Sequence, residues 1–170
     1  EPGRRLRLAR GDRRRGLGLG SRERGGGSEI RLRQSRLGEQ MAHRDRAARA
    51  GLAHRDAAPG HPVLAFGYSN GANILASVAM QRPDLFDRVA LLHPLVTWEA
   101  AAPPGLADLD VLITAGRRDP ITPWPMSEAL VGWFRDGGAR VRTEVHDGGH
   151  EIREGEIAAL QDFLAATPAL

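Results

Sequence analysis

The chain has 170 residues, 24 Lys plus Arg against 21 Asp plus Glu for a formal charge of +3, and no cysteine. That length suits one ordinary domain with its own core, and the lack of cysteine excludes a disulfide framework, a thiolate metal site and a cysteine nucleophile. No apolar run approaches the roughly 20 residues that a bilayer-spanning helix needs, and the Arg-rich start lacks the apolar centre of a secretory signal; no membrane span and a cytoplasmic location are the expectations.

The charge hides two unlike pieces. Residues 1–60 hold 16 Arg and 7 acidic residues, 17 hydrophobic residues, 11 of the 21 Gly and no aromatic; residues 61–170 hold 8 Arg, 14 acidic residues, 52 hydrophobic residues and all eight aromatics. Blocks such as Arg13-Arg14-Arg15 and Gly25-Gly26-Gly27 break any helical or alternating pattern. The first piece therefore reads as largely disordered, because it offers too little apolar surface to offset chain entropy. A weak helical stretch runs from Glu39 to Ala53, with Met41, Ala48 and Leu52 at loosely helical spacing.

From His61 onward the pattern is regular. Pro62 to Phe66 is a short apolar run ending at Gly67, and Ala72, Leu75, Ala76 and Ala79 then recur at i, i+3, i+4 and i+7 until Pro83 stops the helix. Arg88 to His93 and Asp110 to Ala115 repeat the strand signal. Met126, Leu130, Trp133 and Phe134 mark a helix closed by Gly137-Gly138. Val141 to Val145 alternates as a more exposed strand does, and Ile157, Leu160 and Leu164 mark a last helix. The order is βαββαβα, an α/β class with a largely parallel sheet covered on both faces.

Gly67-Tyr68-Ser69-Asn70-Gly71 has the form G-x-S-x-G at the first strand-to-helix junction. A sharp turn there imposes strained dihedrals on the serine, and neighbouring glycines remove side chains that would collide. Ser69 is thereby presented at the sheet edge, with the backbone N–H of Asn70 and the helix N-terminus aimed where an oxyanion forms. The plain alternative is a tight glycine-bounded turn holding an inert serine.

A serine hydroxyl needs a base, and the base needs a carboxylate to orient it. Asp119, in Gly116-Arg117-Arg118-Asp119-Pro120, follows the strand that starts at Asp110. His150, in Asp147-Gly148-Gly149-His150, follows the strand ending near Val145. Both fall at the strand ends that carry Ser69, and the order Ser, Asp, His suits this fold class. Asp119 before Pro120 could equally start a turn, and His150 could cap a helix. Of the competitors, His146 lies on or beside its strand end, His93 ends a strand before Pro94 and could line a pocket, and Asp108 and Asp110 precede their strand and sit at the wrong edge.

Residues 63–165 resemble the phospholipase/carboxylesterase branch of the α/β-hydrolases, which includes dienelactone hydrolase-like enzymes. The likeness rests on four runs in order: Gly67 to Asn73, Leu92-His93-Pro94-Leu95-Val96, Ile113 to Ile121, and Gly148-Gly149-His150-Glu151. It implies a carboxylic ester hydrolase with Ser69 as nucleophile, Asp119 as orienting carboxylate, His150 as general base and a small-molecule ester as substrate. Members of that family begin with further strands and carry a His-Gly-x-Gly-Gly-like loop that supplies a second oxyanion donor; residues 1–60 contain neither. The first 60 residues accordingly read as a non-native or divergent replacement, and 61–170 as the C-terminal part of a hydrolase domain.

Two other functions compete with the esterase. One is a hydrolase-like chain with impaired catalysis; the other is a nucleic-acid binder acting through the Arg-rich segment, where 16 Arg would attract phosphates but no aromatic is present for base stacking. No cofactor or metal is expected. Gly16, Gly18 and Gly20 fail G-x-G-x-x-G, no Lys is available for a phosphate loop, and His146 and His150 are four apart but straddle two glycines.

Overall fold

The computed structural model describes residues 42–53, 55–57, 59–97 and 101–166. The expectations placed on 1–41, the Arg/Gly-rich segment included, lie outside the described residues. Helix α1 covers 42–53, within the stretch where weak helical spacing occurs. Its inward side is made by Ala47 and Ala48, which pack on the core, and by Gly51, where an added Cβ would meet Leu85 at 3.5 Å. Leu52, expected on that stripe, is instead 40% exposed.

The remaining elements follow the expected order: β1 Leu64–Tyr68, α2 Asn70–Ala79, β2 Arg88–Leu92, β3 Asp110–Gly116, α3 Trp124–Asp136, β4 Arg140–His146 and α4 Glu154–Ala165. β1 begins two residues later than the apolar run suggests. Pro62 has no N–H for a ladder, and the Val63 N–H is taken by Asp87 Oδ2 at 2.6 Å.

The four strands are all parallel, in the order β1-β2-β3-β4. Side chains alternate between the faces. Val89, Leu91, Val111 and Ile113 join Leu75, Ala76 and Ala79 of α2 and Leu130 and Phe134 of α3 in one core, while Ala90, Leu92 and Leu112 meet Phe163 of α4 on the other face. Phe134 is fully buried, so Phe134→Ala costs about 3–5 kcal/mol through lost transfer energy and a residual cavity.

Coverage on both faces holds for the middle of the sheet and stops at β1. The register sets Leu64, Phe66 and Tyr68 beside Arg88, Ala90 and Leu92, on the α4 side, but α4 packs on β2, β3 and β4. Phe66 is consequently 65% exposed. No helix among the described residues is long and apolar enough to cross a membrane.

Parallel strands deliver all their C-terminal ends to one edge. Ser69, His93, the 117–119 turn and the 147–150 loop follow the four strands there in turn.

Candidate active site

The site starts with a strained turn. Ser69 has φ 52° and ψ −116°, a left-handed φ that a non-glycine residue adopts only when its surroundings enforce it. Enforcement comes from both sides. The Ser69 N–H donates to Leu92 O at 2.8 Å, and its carbonyl accepts from Asn73 N at 3.0 Å. Gly67 is sterically required, since a Cβ there would sit 2.6 Å from the Gly71 carbonyl carbon and oxygen. Gly71 is not: a Cβ there would meet nothing within 4 Å. The expectation that both motif glycines relieve collisions is corrected to Gly67 alone.

Ser69, Asp119 and His150 are brought together. His150 Nε2 lies 2.8 Å from Ser69 Oγ and His150 Nδ1 lies 2.6 Å from Asp119 Oδ2. The Tyr68 hydroxyl donates to the His150 carbonyl at 2.7 Å, so the residue before the serine anchors the loop that carries the histidine. Burial, reinforced by the charges of Asp119, Glu156 and Glu151, pushes the Tyr68 phenol pKa up and keeps its proton available for that bond.

Asp119 starts a turn and faces two histidine rings at once. Its Oδ1 accepts from the backbone N–H groups of Ile121 at 2.8 Å and Thr122 at 2.9 Å, the local side-chain turn that Asp-Pro announces. Its Oδ2 accepts from Thr122 Oγ1 at 2.6 Å and faces the His93 and His150 rings. Burial opposes ionisation of this carboxyl. The hydrogen bonds from Thr122, His93 and His150 outweigh it and hold the pKa well below the usual carboxylate range.

Asn70 is the first residue of α2, where backbone N–H groups have no partner within the helix. No acidic side chain occupies that first turn, so the helix itself places no negative charge at the positive end of its dipole beside Ser69.

The competing residues fall as follows. His146 ends β4 and its Nδ1 accepts from Gly148 N at 2.9 Å, away from Ser69. Asp110 opens β3 at the opposite edge and pairs with Arg88 and Arg140; Asp108 lies in the short turn before it. His93 lies inside the fold. It is fully buried, with Nδ1 2.8 Å from Asp119 Oδ2 and Nε2 2.9 Å from Glu156 Oε1.

Thr122 and Glu156 were missed as site neighbours from sequence, while His93 was weighed only as a competitor. The available signals were the Asp-Pro-x-Thr turn and the three-residue spacing of Arg153 and Glu156, whose carboxylate caps α4 through the Arg153 N–H at 2.8 Å.

Two groups place possible metal-ligand atoms within 4.8 Å of one another: His93, His146 and Glu156, and His93, Asp119 and His150. Most of these atoms already face a hydrogen-bond partner. With Gly148 N–H donating to His146 Nδ1, that ring carries its proton on Nε2, and both His93 nitrogens face carboxylates. A cation would have to displace these bonds.

No family model matches the chain. MhqD of Bacillus subtilis (strain 168), a hydrolase by name, is 40% identical over 101 residues, 59% of this chain and 50% of that protein. The protein Atu2452 of unknown function from Agrobacterium tumefaciens has a structure with TM-score 0.66 and 44% identity, covering 74% of this chain and 63% of that one. The Bacillus cereus carboxylesterase aligns with TM-score 0.55 and 33% identity, over 58% of this chain and 47% of that one. The chain thus spans about half the length of the curated relative it matches. Its described residues carry an α/β-hydrolase fold, similar to that of the carboxylesterase structures.

Proposed function

We propose that the chain is a serine hydrolase that cleaves small carboxylic esters through an acyl-enzyme. The observation that carries this reading is the unbroken hydrogen-bonded line from Ser69 Oγ through His150 to Asp119 Oδ2, at 2.8 and 2.6 Å. His150 Nε2 takes the hydroxyl proton as Ser69 Oγ bonds to the ester carbonyl carbon, and Asp119 stabilises the imidazolium that results. The Asn70 N–H and the α2 N-terminus favour the tetrahedral oxyanion. Collapse expels the alcohol, which receives the proton from His150. Water then enters by the same steps in reverse, with His150 first accepting its proton and then returning one to Ser69 as the carboxylic acid departs.

The test is turnover of a short-chain acyl ester by the full chain and by Ser69→Ala. Loss of hydrolysis in the variant supports the reading, and equal rates overturn it.

A second reading, a hydrolase-like chain that acylates but turns over poorly, has its own observation. The resemblance implies a second oxyanion donor on a His-Gly-x-Gly-Gly-like loop, and residues 1–63 contain no such run. Losing one such donor costs about 2.7–4 kcal/mol of transition-state stabilisation. Stoichiometric labelling of Ser69 without steady-state hydrolysis would favour this alternative.

A further inference from the structure

His93 occupies an unusual position. It is fully buried, has φ 50°, and is held by its N–H bonding Thr114 O at 3.0 Å. Its Nδ1 faces Asp119 Oδ2 at 2.8 Å and its Nε2 faces Glu156 Oε1 at 2.9 Å. Glu156 is equally buried. An ionised carboxylate can only accept hydrogen bonds, and a neutral imidazole has one donor and one acceptor. A neutral ring between two carboxylates therefore leaves one contact without a proton.

The surrounding donors assign that proton. Asp119 Oδ2 already receives the Thr122 hydroxyl and faces His150 Nδ1, so it acts as an acceptor and His93 Nδ1 must donate. Glu156 Oε2 accepts from Arg153 N at 2.8 Å and lies 3.0 Å from His146 Nε2, although that contact is off the line of a well-directed hydrogen bond. These groups meet Oε2, and Oε1 faces His93 Nε2. The other groups facing His93 are the Tyr68 ring, 5.9 Å away, the His146 ring at 5.6 Å and the His150 ring at 5.1 Å.

We propose that His93 donates from both ring nitrogens and, with Glu156, serves as a positioning pair for the Ser69–His150–Asp119 line: the bridge Glu156–His93–Asp119 fixes Asp119 Oδ2 and draws negative charge away from the face it turns to His150. This rests on the assignment of Ser69 as nucleophile. Neither residue touches a reacting atom. Glu156 makes the bridge depend on α4, whose first turn holds it, so the carboxylate that orients His150 is braced by an element lying beyond it.

Glu156→Gln keeps the shape of the side chain and removes the charge that holds the second His93 proton. The ring then becomes a neutral donor to Asp119 alone, Asp119 presents more negative charge to His150, and the His150 imidazolium is favoured. The readout is the rate at which a fluorophosphonate labels Ser69 in the full chain, measured against pH. The expected result is an acid-limb midpoint about one unit higher in Glu156→Gln than in the unmodified protein, with labelling about tenfold slower at each pH below it.

A lowered rate with an unmoved midpoint would show a merely structural role and overturn the proposal. Two-bond proton–nitrogen correlation spectra of the unmodified protein give a second measurement that needs no variant to fold. Both His93 nitrogens should show the protonated pattern at neutral pH, and an unprotonated nitrogen overturns the proposal. The spectrum stands whether or not Ser69 labels, so its failure is distinguishable from failure of the nucleophile assignment.

Discussion

The Tyr68 hydroxyl donates to the His150 carbonyl at 2.7 Å across 82 positions of sequence. The side chain immediately before the candidate nucleophile thus holds the loop that carries its candidate base, and the rings stand 5.2 Å apart. Tyr68→Phe keeps the ring and deletes this bond. The expected cost is about 1 kcal/mol of stability, with kcat for a short ester falling more than KM changes, because the loss affects the placement of His150. Denaturant unfolding and steady-state kinetics on the same preparation check both parts.

His146 and His150 flank the same loop, and the proposed mechanism separates them. His150→Ala should reduce ester turnover by several orders of magnitude, since the proton from Ser69 then has no acceptor. His146→Ala, whose ring contacts Gly148 and Glu156, should stay within about tenfold of the unmodified protein. Reversal of that order would assign the base to His146.

How far the sequence shows this arrangement depends on what each feature requires. Strand and helix periods depend on local burial, and the repeat at Ala72, Leu75, Ala76 and Ala79 or the full burial of β2 shows directly as an apolar pattern. That Ser69, Asp119 and His150 come together was legible because parallel strands place all their C-terminal turns at one edge. The His93–Glu156 bridge was not. Glu156 lies in the first turn of a helix, where acidic residues are ordinary capping and dipole partners, and only the tertiary position of α4 against His93 gives it a second role. The exposed face of β1 was also hidden, because Leu64 and Phe66 read as core in any local window.

The two glycines of the motif look alike in sequence, and the structure separates them. Gly67→Ala places a Cβ 2.6 Å from backbone atoms of Gly71, which forces the turn apart and should abolish both a cooperative melt and labelling of Ser69. Gly71→Ala meets nothing within 4 Å and lies inside α2, so it should be tolerated or stabilise by about 0.5–1 kcal/mol. Thermal melts of the two variants decide this.

Asp119 sets a pH dependence with a definite sign. Its pKa in the folded chain lies below the ordinary carboxylate value, against the opposing effect of burial, because Thr122, His93 and His150 hydrogen-bond the charged form. The stability it contributes is therefore fully present above the unfolded pKa of about 3.9 and is lost as pH falls toward the folded value. Thr122→Val removes the 2.6 Å bond to Oδ2 and raises the folded value, so acid unfolding should begin at higher pH than in the unmodified protein. Unfolding midpoints taken through the acid range test the direction.

The central claim is that Ser69 is the nucleophile activated by His150, and it is tested most directly by mapping a fluorophosphonate adduct by mass spectrometry. A single adduct on Ser69 is expected, absent from Ser69→Ala and formed far more slowly in His150→Ala. Ser77, whose hydroxyl donates to Asn73 O at 2.6 Å, and the buried Ser127 should remain unlabelled. An adduct on either of those serines, or undiminished labelling of Ser69→Ala, would contradict the account.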